Sequence, residues 1–285
     1  MRKIMHIIPT LDRSGAEKQL VLLAKNLPRD EFDVSVCALT RGGPLADELS
    51  AAGIRTTSMG KQLKLDPFAW WRLRRRIARE RPDLVQTWLF AANAYGRTAA
   101  RAAGVKRVVA SERCADHWKA WHELTLDRWL ARRTAAVIVN SRGVRDFYRE
   151  QGISADKLRL IHNAVEPAPD STVTRQQLLA ELNLPCGTRL IAAVGRLWPQ
   201  KRLKDLIWAT DLLQVIREDA HLLVIGDGPQ REALGRYARQ CHVAGRVHFL
   251  GVRHDVPRIM PPVDVLWLAS RYEGLPNAMM EGLSA

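Results

Sequence analysis

Length and composition place this chain among globular proteins. With 285 residues it is long enough for two domains, and a hydrophobic fraction of 47% excludes an intrinsically disordered chain. The 44 basic and 30 acidic residues give a net charge of +14, which favours an anionic partner, although a solvated basic surface would show the same excess.

Cysteine usage and hydropathy indicate the compartment. The four cysteines are widely spaced and form no C-x-x-C pair, which argues against a zinc site or a disulfide framework and is typical of a reducing compartment. The apolar run that ends at Pro9 is too short for a signal peptide, and no stretch approaches the roughly 20 apolar residues of a spanning helix. We therefore expect a cytoplasmic protein, and peripheral attachment to the inner face of the membrane stays open.

Short apolar runs alternate with helical segments along residues 1–165, which is typical of a Rossmann-like α/β domain with a parallel sheet. A loop with Gly15 separates the first strand from a helix, an arrangement that favours anions, unless the glycine serves only the turn. A linker and crossover are predicted at 166–187, with the clearest linker signal at 166–171, and a second domain at 188–285. The strands predicted for the first domain are 4–9, 33–39, 54–58, 83–88, 107–111, 135–140 and 158–161.

The helix predicted at 67–81 combines an apolar face with many arginines. Trp70, Leu73 and Ile77 share one face at helical spacing, while arginine dominates the remaining positions. The helix is either a cover for the sheet with a charged outer face, or an interfacial helix whose arginines meet anionic lipid.

The second domain is predicted to have four strands, each followed by a loop at the edge where α/β sheets bind ligands. Arg196 and Lys201 flank the first of these loops. Two cations at that place can neutralise a diphosphate, although they could also form ordinary surface ion pairs. The strands are expected at 190–195, 220–225, 246–250 and 263–268, the last of them buried.

The last strand leads into a turn and a helix that are suited to phosphate. Asn277 is predicted to cap a helix that begins at Ala278, so that free backbone N–H groups and the positive end of the helix dipole face the turn. Glu273 and Glu281 flank this turn. Because carboxylates repel phosphate, we expect them to bind the hydroxyl groups of a sugar.

Glu273 and Glu281 have seven residues between them and so form an E-x7-E pattern. Together with Ser270 and the Gly274-Leu275-Pro276 turn, this pattern resembles the corresponding motif of the retaining GT-B glycosyltransferases of family 4, glycosyl transferases group 1. The resemblance covers essentially the whole chain. It implies an α/β fold with two Rossmann-like, doubly wound domains that face a cleft, the first on the acceptor side and the second binding a nucleotide-diphosphate sugar.

The resemblance also implies roles for individual residues. Arg196 and Lys201 would hold the donor diphosphate and stabilise its charge, Glu273 would bind the donor sugar and stabilise the anomeric centre, and Glu281 would hold the ribose. The sequence departs from the family pattern at Ser14, which replaces a glycine of the loop against the donor diphosphate. The other residues expected to bind the donor are Gly15, Gly226, Val252, Arg253, Gly274, Leu275, Pro276 and Asn277.

Acceptor-side candidates follow the strand predicted at 107–111. Some relatives have a histidine there as a candidate base, but this chain has Arg113, with Asp116 and His117 nearby, so the base is not assigned. Arg113 could instead bind an acceptor phosphate or carboxylate. Three tryptophans expected on the next helix are interpreted as packing residues rather than a sugar platform, namely Trp118, Trp121 and Trp129.

We therefore predict a retaining glycosyltransferase that moves a hexosyl or N-acetylhexosaminyl group to a glycan, lipid-linked or other hydroxyl acceptor in cell-surface polysaccharide or glycolipid synthesis. No cofactor and no metal are expected, since cationic side chains would replace the metal, and nucleic acid is not an expected partner. A catalytically inactive nucleotide-sugar-binding scaffold, or a basic nucleic-acid-binding protein, are the alternatives. No G-x-G-x-x-G follows the first strand, which argues against a dehydrogenase.

The chain ends at Ala285, within the helix that contains Glu281. We therefore expect a truncated second domain, a 285-residue chain that is inactive by itself, and a first domain that folds alone.

Overall fold

The computed structural model describes residues 1–167 and 173–285, which form two compact units, Met1–Ala164 and Val165–Ala285. Residues 168–171 of the predicted linker lie outside the described residues. The helix within the predicted crossover, α7 (Arg175–Glu181), belongs to the second unit, where Leu178 and Leu179 are buried in its core.

The first unit is built on a parallel sheet of seven strands in the order β3-β2-β1-β4-β5-β6-β7. The central strand β1 pairs with β2 on one side and β4 on the other, so the strand order reverses beside β1, where open α/β sheets bind ligands. The strands are β1 (Arg2–Thr10), β2 (Phe32–Arg41), β3 (Arg55–Ser58), β4 (Leu84–Trp88), β5 (Arg107–Glu112), β6 (Ala136–Val139) and β7 (Leu158–Leu160).

Helices join these strands and bury one apolar face each against the sheet. In α3, Asp66 caps the helix by accepting a hydrogen bond from the Ala69 N–H at 2.8 Å, and Ala69, Leu73 and Ile77 are buried. Ser141 caps α6 in the same way, by accepting from the Val144 N–H at 3.2 Å. The helices are α1 (Gly15–Asn26), α2 (Pro44–Ala51), α3 (Pro67–Glu80), α4 (Leu89–Ala102), α5 (Trp121–Ala131) and α6 (Arg142–Glu150).

The second unit has a parallel sheet of four strands in the order β10-β9-β8-β11. The two central strands, β8 (Arg189–Val194) and β9 (Ala220–Ile225), are almost completely buried, which explains their continuous apolar sequences. The remaining elements are α8 (Leu203–Gln214), α9 (Arg231–Gln240), β10 (Val247–Gly251), α10 (Val256–Ile259), β11 (Val265–Leu266) and α11 (Asn277–Ser284).

Two details of the last motif differ from the sequence prediction. The buried strand expected at 263–268 is reduced to Val265–Leu266, and Val265 is 46% exposed because β11 lies at the edge of the sheet. The prediction that Asn277 caps the last helix is also wrong. Helix α11 begins at Asn277 itself, and the preceding Pro276 is the extended capping residue, without a side-chain hydrogen bond.

The interpretation of the three tryptophans as packing residues is wrong too. Trp118 precedes α5 instead of lying on it, and its side chain is 53% exposed. Trp121 and Trp129 are on α5 but are 78% and 45% exposed, because the face of α5 that packs on the unit consists of other residues, including Asp127 and Leu130.

Candidate active site

Three loops at the carboxyl ends of β8, β9 and β10 are joined by backbone hydrogen bonds. The Gly195 N–H donates to Ile225 O at 2.9 Å, the Leu197 N–H to Asp227 O at 2.9 Å, and the Gly226 N–H to Gly251 O at 2.7 Å. A Cβ atom on Gly226 would stand 2.0 Å from Gly195 O, and the residue has a φ of +135°. Only glycine fits there, so the backbone of these loops is held in one arrangement.

The loop after β8 brings a cation next to a carboxylate of the loop after β11. Lys201 ends a short 3₁₀ turn, Pro199–Lys201, and its side chain lies against Gly195, whose Cβ would approach Lys201 Cε to 3.3 Å. The Lys201 ammonium forms an ion pair with Glu273, and the two side chains are only 20% and 24% exposed. Two residues predicted to be catalytic, 72 positions apart, are therefore in direct contact.

Gln200 ties the same two loops together, a role that the sequence did not indicate. Its side-chain amide donates to Tyr272 O at 2.8 Å, and its own carbonyl accepts from the Arg271 N–H at 2.9 Å. These bonds hold the segment before Glu273 against the loop that contains Lys201. Glutamine between proline and lysine has no distinctive pattern in sequence, so only the tertiary contact identifies it.

Arg196 lies on the exposed rim of this site. Its guanidinium stands 5.7 Å from the ring centroid of Trp198, and both side chains are exposed. The contact with the ring orients the guanidinium but does not neutralise its charge. Arg196 is therefore suited to bind an anion that arrives from solvent.

The remaining residues of the last motif surround the start of α11. Gly274, Leu275, Pro276 and Asn277 are all partly buried, and Glu281 lies in the second turn of the helix, also partly buried. The helix packs closely on β11, since a Cβ atom on Gly282 would come within 2.8 Å of a Leu266 methyl group. Their roles in donor binding stay predictions.

The loop after β10 uses its arginine in ion pairs. Arg253 makes a two-pronged contact with Asp255, at 2.8 and 2.7 Å, and a further ion pair with Glu181 of α7. The hydrogen bonds to Asp255, followed by that to Glu181, raise the pKa of Arg253 above its ordinary value. Val252 beside it is exposed, and the predicted contact of both residues with the nucleobase stays a prediction.

In the first unit, Arg113 lies at the carboxyl end of β5 in a largely buried setting. Its guanidinium stacks on the ring of Trp88 at 4.5 Å, and Nη1 donates to the side chain of Asn163 at 2.9 Å. Burial lowers the pKa of Arg113 to about 10, and its buried Nε has no hydrogen-bond partner among the described residues. An arginine with a buried, unused donor is a natural site for an anionic or strongly polar group.

A buried network of charged side chains, which was not predicted from the sequence, begins at Glu112, the residue before Arg113. Glu112, Lys119 and Asp127 are each no more than 6% exposed. The Lys119 ammonium donates to Asp127 at 2.8 Å and to the Tyr148 hydroxyl at 2.7 Å, and it is also paired with Glu112 at 3.4 Å. Burial raises the pKa of Glu112 to about 7, although the positive charge of Lys119 opposes the shift.

The network is internal to the first unit and includes one of the acceptor-side candidates. Glu112 points into the first unit, where it accepts a hydrogen bond from Asn93 at 2.7 Å. Asp116, an acceptor-side candidate, forms part of the same network through Lys119 at 3.0 Å and the Tyr148 hydroxyl at 3.0 Å. His117, the third candidate, is exposed and lies edge-on to Phe147 at 4.8 Å.

Gly15 begins α1, after Ser14, which caps the helix without a side-chain hydrogen bond. One turn later, the side-chain amide of Gln19 donates to Ala164 O at 2.7 Å and accepts from the Ala164 N–H at 2.9 Å. The start of α1 is thus fixed against the last residue of the first unit. The role of Gly15 in donor binding stays a prediction.

Within residues 1–167 and 173–285, the structure contains no group of three or more histidine, cysteine, aspartate or glutamate side chains that could hold a metal ion. No helix of this described part is both long and apolar enough to cross a membrane. The four cysteines, all in the described part of the chain, form no disulfide bond.

Comparison with known proteins gives consistent results along the whole chain. Residues 13–168 match the family model of Glycosyltransferase Family 4, and residues 188–285 match that of Glycosyl transferases group 1. The chain is 28% identical to a UDP-Gal:alpha-D-GlcNAc-diphosphoundecaprenol alpha-1,3-galactosyltransferase of Escherichia coli, over 99% of this chain and 77% of the relative. It is 25% identical to the lipopolysaccharide core biosynthesis glycosyltransferase LpsD of Rhizobium meliloti strain 1021, over 99% and 76%.

Solved structures are similar in fold. Anabaena HepE in complex with UDP-glucose matches with a TM-score of 0.86 and 21% sequence identity, over 100% of this chain and 78% of that chain. The parallel sheets and this likeness confirm the α/β fold class of the GT-B type.

Proposed function

This chain belongs to Glycosyltransferase Family 4, and we propose that it is a retaining enzyme that transfers a hexosyl or N-acetylhexosaminyl group from a nucleotide-diphosphate sugar. The acceptor is a hydroxyl group of a lipid-linked glycan in cell-surface polysaccharide or glycolipid synthesis. The observation that supports this best is the contact between Lys201 and Glu273 at the ends of adjacent strands, because it joins the cation proposed to bind the diphosphate to the carboxylate proposed to bind the sugar.

The ion pair suits both stages of transfer. When the donor arrives, its diphosphate competes with Glu273 for Lys201, and Arg196 adds a second positive charge from the rim. The bond between the anomeric carbon and phosphate oxygen then breaks, and its electron pair leaves with the diphosphate, whose charge the two cations stabilise. The Glu273 carboxylate, now beside the sugar, stabilises the positive charge at the anomeric carbon.

The acceptor hydroxyl completes the reaction. Its oxygen bonds to the anomeric carbon on the face that the diphosphate leaves, and its proton passes to the departing phosphate or to solvent. Arg113 is the residue of the first unit best placed to bind an anionic acceptor, because its buried Nε has no partner among the described residues. A diphosphate-linked acceptor, like that in the name of the Escherichia coli relative, has such an anion.

A uridine nucleotide is the first candidate for the donor. The Escherichia coli relative is named for UDP-Gal, and HepE is known in complex with UDP-glucose. We expect UDP to raise the melting temperature of the full-length protein more than GDP or ADP does, since ligand binding stabilises the folded state.

Helix α3 supports a peripheral attachment to an anionic membrane. Its inner face covers the sheet through Leu73 and Ile77, while Phe68 and Trp71 are exposed on the outside together with several arginines. The guanidinium of Arg75 lies 5.3 Å from the ring centroid of Trp71. Amphipathic helices with cationic and aromatic outer faces bind at the lipid headgroup region, where a lipid-linked acceptor is located.

The test of the enzymatic proposal is turnover of the full-length protein. Arg196→Ala and Lys201→Ala are each expected to lower kcat by about 10²–10³-fold, as does the loss of a group that stabilises charge in the transition state. Lys204→Ala is the matched control for Lys201, since it removes an exposed ammonium from the next helix, where it lies over the ring of Tyr237. The control should keep wild-type turnover.

Wild-type turnover in both site variants would contradict the assignment. If the protein binds a nucleotide sugar but releases neither nucleotide nor glycoside with any acceptor, it is an inactive binding scaffold. Nuclear magnetic resonance of the first product formed shows the anomeric configuration of the transferred sugar. An inverted configuration would exclude a retaining enzyme.

A further inference from the structure

The outward face of α5 is aromatic. Trp121 is 78% exposed and Trp129 is 45% exposed, and Trp118, just before the helix, is 53% exposed. Leu126 adds a further exposed apolar side chain on the same helix. Two exposed tryptophans on one short helix, with a third just before it, form an aromatic patch of the kind that marks an interaction surface.

The same face has positive charge only. Arg128, Arg132 and Arg133 at the end of α5 are exposed, and the guanidinium of Arg133 lies 4.9 Å from the ring centroid of Trp129. Both acidic residues of the helix are used on its other side. Glu123 accepts the Ala120 N–H at 2.9 Å, and Asp127 is buried in the network with Lys119.

The position of α5 relates this face to α3 and to the acceptor side. Helix α4 packs against both α3 and α5, so all three lie on one side of the first sheet. Arg74 of α3 donates to Ala102 O at 3.2 Å, and Arg101 of α4 donates to Arg133 O at 3.2 Å. At the other end of α5, the indole N–H of Trp118 donates to Asp116 at 3.1 Å.

We propose that the outward face of α5, together with Trp118, is a second membrane-binding surface that takes anionic phospholipid headgroups. Indole rings prefer the boundary between headgroups and acyl chains, and arginines pair with lipid phosphates, so the two residue types match one surface. With α3 on the far side of α4, the first unit has two attachment points on one side of its sheet.

The two attachment points determine how the first unit lies on the membrane. The face from α3 to α5 lies along the headgroups, and Trp118 brings the segment from Arg113 to Asp116 to the interface. A lipid-linked acceptor can then keep its chain in the bilayer while its polar end reaches Arg113. This use of the surface rests on the proposed function, whereas lipid binding itself does not.

The test is partitioning of the full-length protein onto phosphatidylcholine vesicles with and without phosphatidylglycerol. Arg128→Gln with Arg132→Gln should weaken partitioning onto the anionic vesicles roughly 30-fold, about fivefold for each charge removed near the surface. Trp121→Ser with Trp129→Ser should weaken it by at least about tenfold through lost burial of the rings. Trp208→Ser and Arg236→Gln, exposed residues of the second unit, are the controls and should bind as the wild type does.

Several outcomes would overturn the proposal. Wild-type partitioning of the α5 variants excludes this surface, and if Arg75→Gln with Arg79→Gln alone abolishes binding, α3 is the sole attachment. Binding to single-stranded RNA that the α5 substitutions remove, without any binding to vesicles, would mean a nucleic-acid surface instead.

A second measurement separates this proposal from the enzymatic one. The α5 variants should transfer sugar to a short, water-soluble acceptor at the wild-type rate, because none of the substituted residues is proposed to bind the donor or the acceptor. Loss of vesicle binding with unchanged transfer to the soluble acceptor supports the proposal. A wild-type protein that binds vesicles but transfers no sugar would leave the surface in place and refute only the proposed function.

Discussion

The buried carboxyl of Glu112 predicts a pH dependence of stability that can be tested with one substitution. Glu112→Gln keeps the size and the shape of the side chain but removes its ionisation. The amide oxygen can still accept the hydrogen bond from Asn93, now at 2.7 Å, and its N–H group can donate to the Tyr148 hydroxyl, which lies 2.9 Å from the carboxylate. The variant should therefore fold normally.

The sign of the effect follows from the direction of the shift. The folded pKa of Glu112 is raised from 4.5 to about 7, so the folded state holds the proton more tightly than the unfolded chain. The stabilisation is complete below the unfolded pKa and is lost as the pH rises through 7. At about 1.4 kcal/mol for each pH unit, the wild type should lose roughly 2–3 kcal/mol of unfolding free energy from Glu112 between about pH 5 and about pH 8.

Hydrogen exchange followed by mass spectrometry of peptides from β5 and α6 measures this quantity within the first unit. Relative to Glu112→Gln, the wild type should lose protection from about pH 5 to about pH 8, after correction for the intrinsic exchange rates. The comparison cancels the opposite contribution of His6, because burial lowers the pKa of its ring to about 4 and the first unit therefore gains stability from it as the pH rises. Glu150→Gln is the control, since it removes an exposed carboxylate at the end of α6 and should keep the wild-type profile.

Equal slopes for the wild type and Glu112→Gln would refute the reasoning. That result would mean that Glu112 stays ionised throughout the range, because the attraction of Lys119 and Arg97 outweighs the cost of burial.

Two further predictions concern the second unit. Turnover of the full-length enzyme should be the same with EDTA as without it, since Arg196 and Lys201 are proposed to neutralise the diphosphate; activity that EDTA abolishes and Mg²⁺ or Mn²⁺ restores would contradict this. Gly226→Ala should destabilise the second unit by at least about 2 kcal/mol and weaken nucleotide binding, because its Cβ would clash with Gly195 O at 2.0 Å in a backbone conformation that disfavours side chains. Gly245→Ala, where a Cβ would have no neighbour within 4 Å, is the matched control in a thermal melt, and equal melting temperatures would show that the loops adapt.

That the candidate site residues of the second unit lie at one edge of its sheet was predictable, because their motifs are local. Arg196, Lys201 and Glu273 each follow a strand, and strands of a parallel sheet end at a common edge. The contact between Lys201 and Glu273 was not predictable from spacing, because it depends on β11 pairing beside β8. Gln200 was missed for the same reason, since its two bonds to the loop after β11 have no signature in the sequence.

The predictions are wrong where a pattern within one segment does not determine what surrounds that segment. The apolar run at 263–268 predicted a buried strand, but an edge position leaves Val265 half-exposed. Asn277 is a good capping residue in general, yet the extended Pro276 before it already ends the turn, so the helix begins one residue earlier than predicted. The tryptophans of α5 were expected to pack, whereas the buried face of that helix is formed partly by Asp127.

The fold class, the family and most of the strands could be predicted from the sequence alone. These follow from hydrophobic periodicity, turn residues and short motifs, which act over a few neighbouring residues. Which side chains meet became known from the three-dimensional structure, as in the pairing of Lys201 with Glu273 and the buried network of Glu112, Lys119 and Tyr148. Such contacts join residues from separate elements, and their energies depend on burial and on charges that are distant in sequence, so no local pattern encodes them.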